Sequence, residues 1–169
     1  MRTLLAFLCC ASAVSAWAFD FKGITIGGAA TPAQIQERLG VTCGEGLPGW
    51  QVCNGDVSVA REPATMNLVI SPKGIVQRIR LSLSPDAFDE VAPELIRKFG
   101  NPTSTSQSVV QNRMGAKYEQ IIHLWADKNG TQVLYMKYAG TLDSSTLYFS
   151  TKADRALRGK QKENRKDDI

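Results

Sequence analysis

From residue 75 to residue 83 the chain reads IVQRIRLSL, with Ile75, Ile79, Leu81 and Leu83 on one face and Arg78, Arg80 and Ser82 on the other. This alternation predicts a strand with one buried and one wet face, as antiparallel sheets allow. A partner strand is expected over residues 65–70, joined through the turn Ser71-Pro72-Lys73-Gly74. The period then changes. Phe88, Val91, Ala92, Leu95, Ile96 and Phe99 recur at helical spacing, predicting a helix opened by Ser84-Pro85-Asp86 and stopped by Gly100-Asn101-Pro102. Pro93 inside this helix is expected to kink or split it. A first helix over residues 31–39 carries the signals of a helix start: Thr31 to cap, Pro32 at the first helical position, and Gln34 to complete a capping box. Gly40 ends it.

Residues 50–53 and 56–61 flank Asn54-Gly55, the strongest two-residue hairpin signal. Further strands are expected over residues 104–112, 117–126, 131–138 and 145–150, followed by a short helix over 153–157. The order is helix then strands, twice, and Leu39-Gly40 aligns with Phe99-Gly100. The expected fold class is therefore α+β: two helix-plus-antiparallel-sheet units in tandem, residues 19–83 and 84–151, with helices packed on one face. A single α+β sheet bearing two helices on one face fits the same pattern.

The N-terminus reads differently. MRTLLAFLCCASAVSAWA has one early positive charge, an apolar run too short to span a bilayer, and small residues Ala16 and Ala18 around Trp17. Residues 1–18 are expected to be a signal peptide cleaved before Phe19, or alternatively after Ala16. Cys9 and Cys10 lie within it, but Phe7-Leu8 lacks the small residues that a lipidation motif needs. The chain that remains is expected to be periplasmic or secreted, with no stable membrane anchor.

Cleavage would leave two cysteines, Cys43 and Cys53. An even pair in an exported chain predicts a disulfide. A structural zinc site wants four ligands, and two cysteines and one histidine do not complete it. The spacing also differs from the C-x-x-C of thiol oxidoreductases.

The net charge of +4 is not spread over the body. Residues 19–151 carry twelve Lys/Arg and twelve Asp/Glu, whereas residues 152–169 carry seven and four. The excess belongs to a terminal segment with few apolar residues, expected to be a charged flexible tail. A neutral body without a basic stripe excludes nucleic acid as the expected partner.

No catalytic residue is assigned. The one histidine, His123, shares a strand face with Ile121 and Trp125 and reads as structural. Nucleophile-elbow and phosphate-loop motifs are missing. Asp86, Asp89, Glu90 and Glu94 fall opposite the apolar stripe of their helix, where carboxylates are solvated. Neither a metal nor a cofactor is expected.

Thr31-x-x-Gln34-Ile35-x-x-x-Leu39-Gly40 resembles the motif opening the SmpA/OmlA-type (BamE-like) outer-membrane assembly lipoproteins, and the wider arrangement is similar to that of the β-lactamase inhibitor protein. The resemblance implies an α+β module that binds other proteins and does no chemistry. It covers about ten residues, and the lipid-bearing cysteine of those lipoproteins has no counterpart here. The expected function is thus a non-catalytic exported binding protein, an inhibitor, immunity factor or assembly adaptor, acting on another envelope or secreted protein. Trp50, in the disulfide-closed Gly/Pro loop, is the candidate anchor, with Arg78 and Arg80 as a charged rim. The alternative is a binder of a small molecule or cell-wall fragment, held over the sheet by Trp125, Tyr135, Tyr138 and Tyr148.

Overall fold

The computed structural model describes residues 19–167. The proposed signal peptide, its cleavage site, Cys9 and Cys10 lie outside these residues. The chain order is β1 (Asp20–Phe21), β2 (Ile24–Thr25), α1 (Pro32–Leu39), β3 (Thr42–Glu45), β4 (Gln51–Val59), β5 (Glu62–Ile70), β6 (Val76–Leu83), α2 (Phe88–Phe99), β7 (Ser104–Gln111), β8 (Lys117–Ala126), β9 (Gln132–Met136), β10 (Ser145–Ser150) and α3 (Lys152–Asp167). β1 and β2 form a small hairpin through Lys22 and Gly23. The other eight strands form one antiparallel sheet in the order β3-β4-β5-β6-β10-β9-β8-β7.

This sheet overturns the expectation of two tandem α+β units. β6 pairs with β10 from Leu83↔Ser145 to Arg78↔Ser150, so the first and last meanders share one continuous ladder. Leu81 and Leu147 meet across that seam and are both fully buried. Neither half could end at residue 83 without baring this apolar row. The chain is mostly strand, and the helices are not confined to one face. α1, α2 and the β1–β2 hairpin cover the face that carries Leu68, Ile79, Leu81, Phe149, Val133 and Trp125. α3 lies against the opposite face.

Local chemistry explains most boundaries. Thr31 Oγ1 accepts from the Gln34 amide, and the Gln34 side chain accepts from the Thr31 amide, so the capping box is complete. α2 follows a 3-10 turn at Pro85–Ala87 and runs unbroken through Pro93. Its stripe delivers Phe88, Val91, Ala92 and Leu95 to the core. Phe88 stacks on Tyr135 at 4.5 Å between centroids.

Asn54-Gly55 is not a turn. β4 passes straight through it, and Asn67 Nδ2 donates across the strands to Asn54 Oδ1 at 2.8 Å. Gly55 serves close approach, because a Cβ there would lie 2.8 Å from Val41 Cγ1. The chain reverses at Ala60 and Arg61 instead, with φ of 49° and 74°. Two consecutive positive φ values match the twist of a tight hairpin without any glycine.

α3 extends well beyond the short helix expected to end at Leu157, into the segment expected to be a flexible tail. Only its first turns are docked. Asp154, buried, accepts from Arg78, from the Tyr148 hydroxyl and from Arg158 Nε. Burial and the Asp154 charge push the Tyr148 hydroxyl up to about 12, which keeps it a donor. Residues 156–161 are exposed, and residues with high helix propensity carry the helix onward.

Tyr135 is fully buried, yet its hydroxyl has no hydrogen-bond partner among the described residues. The adjacent Ser145 hydroxyl donates to the Ser84 carbonyl at 2.9 Å. Removing an unpartnered buried hydroxyl while keeping the ring should be neutral or stabilising, by up to about 1 kcal/mol. Tyr135→Phe is therefore expected to hold or raise the urea midpoint. A loss above about 1 kcal/mol would mean that the hydroxyl is bonded in solution.

Candidate functional site

A finite sheet has two edges, and in this protein they are built differently. β3 is four residues long, ends in Glu45, and is tied to its neighbour by the Cys43–Cys53 disulfide between directly opposed residues. The loop beyond it closes tightly: Gly46 N donates to Trp50 O, Trp50 N to Leu47 O, and Gly49 N to Glu45 Oε1. This edge is short and braced.

β7 is the reverse. It runs for eight residues, STSQSVVQ, without a charge or a proline, and seven of the eight are exposed. Its inner side pairs with β8 in unbroken register from Ser104↔Leu124 to Gln111↔Lys117. Its outer side has no strand partner among the described residues. Natural edges are usually blunted by charge, proline, bulges or shortness, and β7 shows none of these.

The far half of this pair stands clear of the sheet. β8 pairs with β9 only from Ile122 to Ala126, so residues 108–111 and 117–120 form a projecting two-stranded arm. Its tip is ordered by Asn112 Oδ1, which accepts from the amides of Met114 and Ala116. Tyr118 packs edge-on against Tyr138, and Gln120 Nε2 donates to the Tyr138 carbonyl at 2.8 Å. The arm thus presents exposed apolar side chains on a fixed frame: Val109 is 67% exposed and Met114 93%. Neither stood out in the sequence, where residues 104–112 read only as a polar strand.

The residues singled out from sequence are dispersed. Trp50 is half-buried at the β3 edge, and exposed Leu47 beside it is the more available side chain. Arg78 is engaged with Asp154 at 3.4 Å beneath α3. Arg80, two residues on, is exposed. β5 separates the strand following Trp50 from the strand of both arginines. Of the four aromatic residues proposed to line a groove, Trp125 and Tyr135 are buried in the core, and Tyr138 sits at the base of the arm with φ 60°. Tyr148 alone faces the outer side of the central strands, opposite Arg80.

His123 lies on the core side of β8. Its ring stacks on Phe88 at 5.6 Å, and Nδ1 sits 2.9 Å from Thr105 Oγ1. Burial lowers its pKa from the ordinary 6.5. Above about pH 6.5 it is neutral in both folded and unfolded chains. Below that, the unfolded chain takes the proton first, so stability falls with falling pH until the folded imidazole titrates. The urea midpoint is expected to drop as pH falls below about 6.5, and His123→Gln should flatten that slope. A slope unchanged by His123→Gln would assign it to other groups. No helix among the described residues is long and apolar enough to cross a membrane, and no His/Cys/Asp/Glu group among them could hold a metal ion.

Comparison of the chain with protein-family models, curated proteins and solved structures finds no match.

Proposed function

We propose that this is a non-catalytic exported protein that binds another envelope or secreted protein by accepting one of its extended segments along β7. The observation that carries the reading is the uncharged, unbulged, eight-residue open edge, beside an opposite edge that is short and braced. An added strand would gain main-chain hydrogen bonds along this edge, while the Val109 and Met114 side chains on the arm would supply apolar contact. Export is supported by the Cys43–Cys53 disulfide, which persists in oxidising compartments, and by the targeting pattern of residues 1–18. The resemblance of Thr31–Gly40 to assembly lipoproteins agrees with the binding-module class. A non-catalytic role is supported by the engagement of His123 with Phe88 and Thr105. Trp50 and Leu47 offer a smaller contact at the other edge.

The test is photocrosslinking in the source cell, with a crosslinking amino acid at Val109 and, as control, at exposed Glu37 on α1. A single hetero-adduct from position 109 and none from 37 is expected. Equal labelling from both positions, or an adduct made only of two copies of this chain, would defeat the proposal.

A further inference from the structure

The outer face of β6, β10 and β9 holds a second feature, independent of the β7 edge. A cavity of about 390 Å³ lies there, walled by the start of α3. Cross-strand register sets its floor: Arg80 is opposite Tyr148, which is opposite Leu134, and Thr146 is opposite Met136. Arg155 and Arg158 reach it from α3. The cavity lining contains three arginines and no carboxylate.

The state of those arginines is informative. Arg80 has no ion pair and no side-chain hydrogen bond among the described residues. Arg155 is held only by neutral acceptors, the Ser150 carbonyl and hydroxyl at 3.1 Å and the Gly130 carbonyl. Arg158 places its guanidinium 4.6 Å over the Tyr148 ring, and its Nε donates to Asp154. Asp154 pairs with Arg158 and is shared with Arg78, and the Asp154 and Asp127 charges both act on Arg155. Three guanidinium groups therefore face one cavity whose lining holds no carboxylate, and Arg80 among them has no ion pair among the described residues. Burial and the neighbouring Arg158 both lower the pKa of Arg155, a sign of that crowding.

Thr146 also borders the floor, with its hydroxyl sealed from solvent. It lines the same cavity, is 3% exposed, and its Oγ1 has no hydrogen-bond partner among the described residues. Buried hydroxyls are seldom left unpaired. The cavity thus combines guanidinium charge without a lining carboxylate and an apolar wall from Leu134 and Met136.

We propose that this cavity binds a small organic oxyanion, a carboxylate or phosphate on a short apolar body. The head lies among Arg80, Arg155 and Arg158, and the body runs along Leu134 and Met136. Guanidinium forks suit both head groups, and a cavity of this size lies within the range of small-molecule sites.

Octanoate and octyl phosphate serve as probes, with octanol as the neutral control, titrated by calorimetry and by NMR of the Thr146 methyl group. At least one anionic probe is expected to bind, shift the Thr146 methyl signal and weaken as salt is added, while octanol does neither. The probe that binds identifies the head group. Arg80→Gln, at an exposed and unpaired position, should weaken binding about tenfold or more. Thr146→Val keeps the shape and removes a hydroxyl sealed from the cavity, so it should fold with an unchanged or higher melting point and bind like the wild type. The proposal is overturned if neither anion binds, if octanol binds equally well, or if Arg80→Gln binds like the wild type.

Discussion

Lysine at both Ser106 and Ser108 is expected to weaken binding of the partner found by crosslinking by at least about 100-fold, which is about 3 kcal/mol. Both residues are exposed on the open edge, and the one side-chain bond lost there among the described residues is Ser108 Oγ to Gln120 Oε1 at 3.2 Å, so stability should change by no more than about 1 kcal/mol. The incoming strand has more to lose. Two flexible cations at the middle of the edge must be desolvated or moved aside before its backbone can pair, which is how natural edges refuse partners. Thr42→Lys adds positive charge at the braced edge and should bind like the wild type. If S106K/S108K binds normally while remaining folded, the partner does not use β7.

The second large effect concerns the braced edge. Cys43→Ala with Cys53→Ala opens a loop of sequence separation 10, and should cost about 3 kcal/mol through the gain in unfolded-chain entropy. It should also leave Cys53's fully buried site short of its sulfur. The consequence reaches beyond stability. β3 is only four residues long, and without the crosslink it is held by a four-pair ladder to β4 and by contacts with α1. When β3 frays, nine-residue β4 becomes the edge, and its outer groups can template aggregation. Urea unfolding with and without reductant measures the first effect, and light scattering of the reduced chain the second. A midpoint unmoved by reduction would show that the staple is incidental to the fold.

How far the sequence could be read depends on the range of the interaction involved. Thr31, Pro32 and Gln34 act within one helical turn, so the helix start was legible to the residue. Strand β6 was legible because Ile79, Leu81 and Leu83 alternate with Arg78, Arg80 and Ser82 over a local period. Asn54-Gly55 misled because Gly55 answers to Val41, fourteen residues earlier and across a strand, and not to its own turn. The tandem reading failed for the same kind of reason. Nothing local says that β10 returns to pair with β6, and that one pairing turns two meanders into a single sheet.

The same pairing decides which strand lies at the edge. STSQSVVQ looks unremarkable until the order of strands leaves it without an outer neighbour, so the surface proposed for binding was not legible at all. The arginine cavity was half legible. Arg80 on the wet face followed from alternation, whereas Arg155 and Arg158 reach the cavity only because α3 folds back over β6. The helix in the segment expected to be a flexible tail has a local cause: its Ala, Leu, Arg, Lys and Gln residues favour helix once Asp154 has anchored the first turn.

The most direct test of strand addition is amide hydrogen exchange along residues 104–111, with and without the crosslinked partner species supplied as a purified protein. In the free chain the amides of β7 that point away from β8 should exchange fast. On binding, those same amides should become protected, alternating along the strand, while amides of β3 stay as they were. Unchanged exchange in β7 under conditions where the partner is bound would contradict the account outright.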